Sequence, residues 1–189
     1  MRAEALSPAT RPLQNLSDGA LAEQFSLALR HADGVNGAHC VHELCMRQAI
    51  PAHIEAALEQ LWQRASSSIP DWLPMRYIHF LPLLYRTAAR FRGGGRGRSN
   101  VYLVLLDYAD RSSDGFGVYV GMSDYSPAQR FDQHKAGIRA AGCVLKRGLE
   151  VLTGPTLHLQ RLARAEATRI EAELAHALSE QGLLVEGGH

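Results

Sequence analysis

The chain has 189 residues, of which 46% are hydrophobic, and its formal net charge at pH 7 is +1. This length and composition suffice for one sizeable hydrophobic core or two small ones. The near-neutral charge argues against a protein that coats nucleic acid by bulk electrostatics, so any nucleic-acid contact must be local. The three cysteines, Cys40, Cys45 and Cys143, follow no framework spacing, and stability should therefore not depend on disulfides.

The sequence carries no membrane or export signal that we can identify. No apolar run approaches the roughly twenty residues needed to span a bilayer, and the N-terminal segment lacks the apolar centre of a signal peptide. We therefore expect no membrane partner and a cytoplasmic location. Residues 1–16 combine Pro, Ser and Thr without periodicity, so we expect this segment to be disordered.

Helical patterns dominate residues 17–92. A first helix begins at Ser17-Asp18 and is stopped by Asp33-Gly34, and a second covers roughly residues 39–48. The clearest helix opens at Pro51, with one apolar stripe. The stripe consists of Ile54, Leu58, Leu61, Trp62 and Ala65. Pro74 and Pro82 then interrupt a long apolar run, which predicts a short segment followed by a buried helix from about Leu83.

Two clusters in this half allow more than one interpretation. His39, Cys40, His42 and Cys45 are typical zinc ligands, but a structural zinc site usually needs a second ligand pair, and none is evident. Ordinary residues of a partly buried helix are the favoured interpretation. Residues 93–99 form a Gly/Arg-rich segment that we interpret as a flexible linker, although Arg96 and Arg98 could each contact a phosphate.

Two β-strand patterns follow the linker. Residues 101–106 are apolar on both faces, which predicts a buried strand, and Val118–Val120 read as a second strand. Turn-forming residues at 110–117 join the two, so we predict a hairpin with a long loop. Leu149–Leu152 could form a third strand.

The signals for a helix after the second strand are unusually complete. Ser126 can cap it, Pro127 suits its first position, and Gln129 completes a capping box. The helix should run to about Ala136 and end at Gly137. Arg130 and His134 lie one turn apart on it, so both side chains project from the same face.

The last helix is expected from about Gln160 to Gln181, closed by Gly182. Its apolar stripe consists of Ala163, Ala167, Ile170, Leu174 and Leu178. Glu171 falls inside this stripe, about 40° from Ala167 on the helical wheel. A carboxylate on a core-facing stripe costs several kcal/mol unless a cation or hydrogen bonds compensate. A boundary residue paired with Arg130 or another arginine would also satisfy the pattern.

These motifs together resemble a known family. Asn100-Val101-Tyr102 and Tyr119-Val120-Gly121, followed by Arg130 and His134, are similar to the motif set of the GIY-YIG nucleases. The segment from Glu166 to Leu174 resembles the late helix on which that family carries its metal-binding glutamate. The match covers about the last ninety residues. It departs from the family in a longer spacing between the tyrosines, in Met122 where some members carry a lysine, and in lacking a C-terminal Asn.

The resemblance implies an α+β domain over residues 100–189, with a small antiparallel sheet of about three strands flanked by helices and preceded by the N-terminal helical region. It implies a metal-dependent DNA endonuclease in which Glu171 holds Mg²⁺ or Mn²⁺ and Arg130 binds the scissile phosphate. RNA stays open as a substrate. Gly121, which lets a substrate backbone approach closely, and Lys135, Arg96 and Arg98 are weaker candidates for nucleic-acid contacts.

The general base stays open between a tyrosine and His134. A phenolate at pH 7 requires the pKa of a tyrosine to fall by about three units, or about 4 kcal/mol, which a nearby cation can supply. We assign Tyr119 to the base side and Tyr102 as its hydrogen-bonded partner. A catalytically degenerate module that binds nucleic acid or protein is the competing hypothesis, and the N-terminal helices could carry a surface for a protein partner if Trp62 or Trp72 is exposed.

Overall fold

A computed structural model describes residues 7–111 and 115–188. The chain forms two compact units, Met1–Leu83 and Leu84–His189. Among the described residues, no helix is long and apolar enough to cross a membrane. The helices are α1 (Asp18–Arg30), α2 (Gly34–Met46), α3 (Pro51–Ala65), α4 (Leu81–Ala88), α5 (Pro127–Lys135), α6 (Gly142–Arg147) and α7 (Arg164–Glu180), and the strands are β1 (Asn100–Asp107), β2 (Phe116–Ser123), β3 (Gly148–Val151) and β4 (Val185–Gly187).

Helices α1, α2 and α3 pack together in the first unit. The Ser17 side chain caps α1 by accepting a hydrogen bond from the backbone N–H of Ala20. The Asp33 side chain caps α2 in the same way, so α2 begins at Gly34, earlier than the predicted residue 39. What the sequence marks as the end of one helix is therefore the start of the next.

The prediction that residues 1–16 are disordered is wrong for residues 7–16, and residues 1–6 lie outside the described part of the chain. Pro8–Thr10 form a short 3₁₀ helix. The carbonyl of Pro8 lies 3.0 Å from His42 Nε2, and Arg11 pairs with Glu43 at 2.7 Å. Glu43 is only 1% exposed and also pairs with Arg47, so two cations compensate its burial.

The histidines and cysteines of α2 lie in the core of this unit. The rings of His39 and His42 pack against Trp72 at centroid distances of 4.8 and 5.8 Å. Burial raises the pKa of Cys40 and Cys45 to about 12, so both are protonated thiols at neutral pH. Within residues 7–111 and 115–188, no group of three His, Cys, Asp or Glu side chains could hold a metal ion.

The sheet of the second unit has four strands in the order β3-β1-β2-β4. The predicted hairpin is present, since β1 pairs antiparallel with β2, and β3 pairs antiparallel with β1. The predicted antiparallel sheet of about three strands is corrected to a mixed sheet of four, because β4 adds a strand parallel to β2. Residues 101–106 of β1 are 0 to 1% exposed, as their two apolar faces predict.

The Gly/Arg-rich segment is not a flexible linker. The backbone N–H of Gly97 donates to the carbonyl of Arg161 at 2.7 Å, and Ser99 exchanges backbone hydrogen bonds with Leu162. A side chain at Gly97 would collide with the Leu162 carbonyl, so this approach requires glycine. Because residues 159–162 pair with this segment, α7 starts at Arg164 and not at the predicted Gln160.

Candidate active site

Tyr102 and Tyr119 come together on one face of the sheet. The β1–β2 register places Tyr102 opposite Gly121 and Tyr119 opposite Val104, so the two rings are diagonal neighbours with centroids 6.1 Å apart. Tyr102 is 1% exposed, whereas Tyr119 is partly exposed. Tyr119 is therefore the more exposed of the two tyrosines.

Gly121 has a different role from the one predicted. A Cβ atom there would lie 2.5 Å from Tyr119 Cε1 and 2.8 Å from Tyr102 Oη. The missing side chain makes room for the two phenol rings, and the residue is buried. The expectation that a substrate backbone approaches Gly121 is thus wrong, because the tyrosines occupy that space.

Helix α5 positions His134 against the tyrosines. The helix runs from Pro127 to Lys135, and the predicted capping box between Ser126 and Gln129 is formed. His134 is 1% exposed, and its Nε2 lies 2.9 Å from Tyr102 Oη. The His134 ring also lies 5.8 Å from the Tyr119 ring, centroid to centroid. The three aromatic side chains therefore form one cluster.

The backbone of Ala141 fixes the tautomer of His134. The Ala141 N–H donates to His134 Nδ1 at 2.9 Å, so Nδ1 carries no proton. In the neutral ring the proton then belongs to Nε2, which donates to Tyr102 Oη. Because Tyr102 Oη accepts this bond, its own O–H is left to donate, and Tyr119 is the neighbouring phenol with which it interacts. The chain of donors runs from His134 through Tyr102 to the oxygen of Tyr119.

Burial is the largest influence on the proton affinity of all three groups. It raises the pKa of Tyr102 and of Tyr119, so both phenols are neutral at pH 7. Burial, together with the positive charge of Arg130, lowers the pKa of His134 to about 4. His134 is therefore a neutral hydrogen-bond donor in this geometry, and a phenolate at Tyr119 needs an additional positive charge.

Arg130 lies beside this aromatic cluster, where its charge acts against burial to lower the pKa of both tyrosines. Its guanidinium is held in place from the other side. Nη1 donates to the Ile138 carbonyl at 3.1 Å, and Nη2 donates to the Arg139 carbonyl at 2.7 Å. These bonds use part of the five-donor fork and fix its orientation.

Glu171 is buried on α7, as the helical wheel predicts. Its residue exposure is 9%, whereas Glu173 and Glu180 on the same helix are exposed. After burial, the negative charge of Glu171 is one of the influences that raise the pKa of Tyr119, which places the carboxylate within electrostatic range of this phenol. Tyr102 and His134 thus pack against Tyr119, and the charges of Arg130 and Glu171 act on it.

The carboxylate of Glu171 is the donor that suits a metal in this cluster. Mg²⁺ is commonly bound by one or two carboxylates, with waters and substrate phosphate oxygens completing its shell. The remaining donors around Tyr119 are phenols and a histidine whose two nitrogens are both hydrogen-bonded. This donor set fits a hard divalent cation that shares its shell with a phosphate, and it does not fit zinc.

The weaker candidates for nucleic-acid contact are spread over the second unit. Lys135 Nζ donates to the carbonyls of Leu145 and Gly148 at 3.3 and 3.1 Å, so its ammonium group bonds to the protein's own backbone. Arg96 and Arg98 are exposed. Arg98 Nη2 lies 3.9 Å from a carboxylate oxygen of Asp124.

A cleft adjoins the tyrosine cluster, and most of its residues were not predicted from the sequence. It has a volume of about 550 Å³, and Arg130 belongs to both the cleft and the cluster. The other lining residues are Met122, Ser123, Asp124, Tyr125, Gln133, Ile138, Arg139 and Arg164. The sequence signal that could have found the cleft is the polar segment 123–125 before α5 together with the Ile138-Arg139 pair after it.

No protein-family model, curated protein or solved structure matched the chain. The functional argument therefore depends on the arrangement of the residues themselves.

Proposed function

We propose that the C-terminal domain, residues 100–189, is a metal-dependent endonuclease that hydrolyses DNA phosphodiester bonds, with the single-metal chemistry of the GIY-YIG nucleases that it resembles. The observation that carries this proposal is that four of the five predicted side chains act on the fifth, Tyr119. Tyr102, His134, Arg130 and Glu171 come from three different elements, and each either contacts one of the two phenols or shifts the pKa of Tyr119.

Phosphodiester hydrolysis needs an activated water, a stabilised transition-state charge and a neutralised leaving oxygen. Glu171 would hold a Mg²⁺ or Mn²⁺ ion, which would supply positive charge to neutralise the leaving oxygen and to favour a phenolate at Tyr119. The remaining requirements are met by side chains of this chain.

Tyr119 orients the attacking water and, as a phenolate, takes its proton. It is the more exposed phenol, and its hydrogen bond with Tyr102 partly offsets the rise in its pKa that burial causes. Tyr102 and His134 act behind it as positioning residues. Because the donor chain ends on the Tyr119 oxygen, negative charge is better stabilised there than on Tyr102.

Arg130 binds the scissile phosphate. A guanidinium pairs with phosphate through parallel N–H groups, and its planar fork requires a fixed orientation to do so. The carbonyls of Ile138 and Arg139 provide that orientation. The substrate phosphate is thereby brought next to the phenol that orients the water.

A non-catalytic binding module is the second candidate. Burial raises the pKa of both phenols, which opposes the phenolate that catalysis requires, and Met122 lies where some family members carry a lysine. These two observations favour a scaffold that binds nucleic acid without cutting it. A protein-binding surface centred on Trp72 is not supported, because this side chain is buried against His39 and His42.

Incubation of the full chain with duplex, nicked and branched DNA, with Mg²⁺, Mn²⁺ or EDTA, separates the two candidates. The endonuclease cuts at least one substrate with either cation and none with EDTA. Arg130→Gln should abolish cutting, while Arg169→Gln, which changes an exposed arginine of α7, should leave it intact. Binding without any cutting would identify the non-catalytic module and refute the endonuclease.

A further inference from the structure

The cleft that adjoins the tyrosine cluster has a chemistry that the proposed mechanism does not use. Arg139 and Arg164 line it together with Arg130, and Tyr125 and Ile138 contribute exposed apolar surface. The proposed mechanism needs only Arg130 from this set. The other four residues therefore call for an explanation in terms of what the cleft binds.

The charge of the cleft is positive, although the whole chain is almost neutral. Three guanidinium groups face one carboxylate, that of Asp124. Asp124 accepts a hydrogen bond from Ser99 Oγ at 2.6 Å and lies 3.8 Å from Arg164 Nη1. The side chain of Arg164 is 75% exposed, and an ion pair this long and exposed contributes little. Arg164 can therefore turn toward a phosphate at small cost.

Tyr125 presents an exposed ring on a fixed backbone. The residue is 53% exposed. Its N–H donates to Ser123 Oγ at 3.1 Å, and its carbonyl accepts from Asn100 Nδ2 at 2.9 Å. It directly precedes Ser126, the cap of α5. Because its backbone is already held by these bonds, Tyr125 loses little backbone freedom when a base stacks on its ring.

The combination of arginines and an exposed aromatic ring favours single-stranded nucleic acid over a continuous duplex. Arginines alone suffice to contact the backbone of a continuous duplex. Stacking on an aromatic side chain requires a base that is not stacked between its neighbours, as in single strands. Ile138, which is 55% exposed, adds apolar surface of the same kind.

We propose that this cleft holds one unpaired nucleotide of the DNA strand that carries the scissile phosphate. Tyr125 stacks on its base, and Arg139 and Arg164 contact the flanking phosphates. This inference rests on the proposed function and adds a substrate class to it. Substrates with an unpaired nucleotide at the cutting site, such as flaps and branches, are preferred over continuous duplex because they need no unstacking.

Fluorescence anisotropy with the full chain in EDTA tests the inference without cleavage. The probes are a labelled oligothymidylate of about ten nucleotides and a hairpin duplex of similar length. The wild type should bind the single strand more tightly than the duplex. Tyr125→Ala should weaken single-strand binding about tenfold and leave duplex binding unchanged, while Tyr125→Phe, which keeps the ring, should bind like the wild type.

A matched pair of arginine variants tests the phosphate contact. Arg164→Gln should reduce the slope of log affinity against log salt concentration for the single strand by about 0.7. Arg169→Gln removes an arginine from the solvent face of the same helix and should leave the slope unchanged. Equal slopes for the two variants would overturn this part of the inference.

The outcomes distinguish this inference from the proposed function. Single-strand binding that depends on Tyr125, in a protein that cuts nothing, supports the cleft assignment and refutes the nuclease. Cutting by a protein whose Tyr125→Ala variant binds and cuts every substrate like the wild type supports the nuclease and refutes the cleft assignment. Duplex bound as tightly as single strand also refutes the cleft assignment.

Discussion

Acidification should destabilise the C-terminal unit through His134. The pKa of this side chain is about 4 in the folded chain because burial disfavours the imidazolium, against about 6.5 in an unfolded chain. Between these two values the unfolded chain binds a proton that the folded chain does not, so stability falls as the pH drops below about 6.5 and levels off near 4. The pKa difference corresponds to a loss of about 2 kcal/mol between pH 7 and pH 5.

Native-state hydrogen exchange of the β1 amides measures this loss in the unit that contains His134. Tryptophan fluorescence does not, because Trp62 and Trp72 both belong to the N-terminal unit. The matched variant is His134→Gln, whose amide can donate to Tyr102 but does not titrate. Between pH 7 and pH 5, this variant should lose about 2 kcal/mol less unfolding free energy than the wild type. Equal pH dependence of the two proteins, or an NMR titration of His134 near pH 6.5, would refute the reasoning.

Further predictions follow from single contacts. Gly121→Ala should destabilise the C-terminal unit by about 1 to 3 kcal/mol in urea unfolding, since the added methyl meets both phenol rings, whereas Gly142→Ala, where nothing lies within 4 Å, should have little effect. Tyr119→Phe should abolish DNA cutting while Tyr102→Phe, which interrupts the donor chain, retains a reduced rate; equal rates for the two variants would contradict the assigned order. Glu43→Gln should destabilise the N-terminal unit by about 3 kcal/mol, because it removes the buried carboxylate that pairs with Arg11 and Arg47. Unfolding monitored by tryptophan fluorescence measures this loss.

Features with a local sequence signal were predicted well. The capping box of Ser126 and Gln129, the hairpin of β1 and β2 and the inward position of Glu171 each depend on spacing within a few residues. Periodicity reports such features because it reflects which side chains share a face.

Features that depend on distant partners were missed. Residues 7–16 are ordered by the pairing of Arg11 with Glu43, and Gly97 is held by the carbonyl of Arg161. The short strand β4 exists because it pairs with β2 far along the chain. Composition made residues 7–16 and 93–99 look flexible, and no pattern in the sequence marked β4, because each of these features depends on tertiary contacts.

The candidate site, too, was predicted only in part. The residue types and their order could be read from the sequence, but the hydrogen bond from Ala141 to His134 could not. That bond sets the tautomer of His134 and hence the direction of the donor chain. The cleft around Tyr125 was missed because its residues come from segments on both sides of α5 and from α7.

The most direct test of the account is single-turnover cleavage of an end-labelled, branched DNA with Mn²⁺ by the Glu171→Gln and Glu173→Gln variants. Both changes remove one carboxylate charge from α7, but only Glu171 is buried beside Tyr119. The account predicts that Glu173→Gln cuts like the wild type and that Glu171→Gln is at least about a hundredfold slower, as expected when a metal ligand is lost. Cutting by Glu171→Gln at the wild-type rate, or no cutting by the wild type, would contradict it.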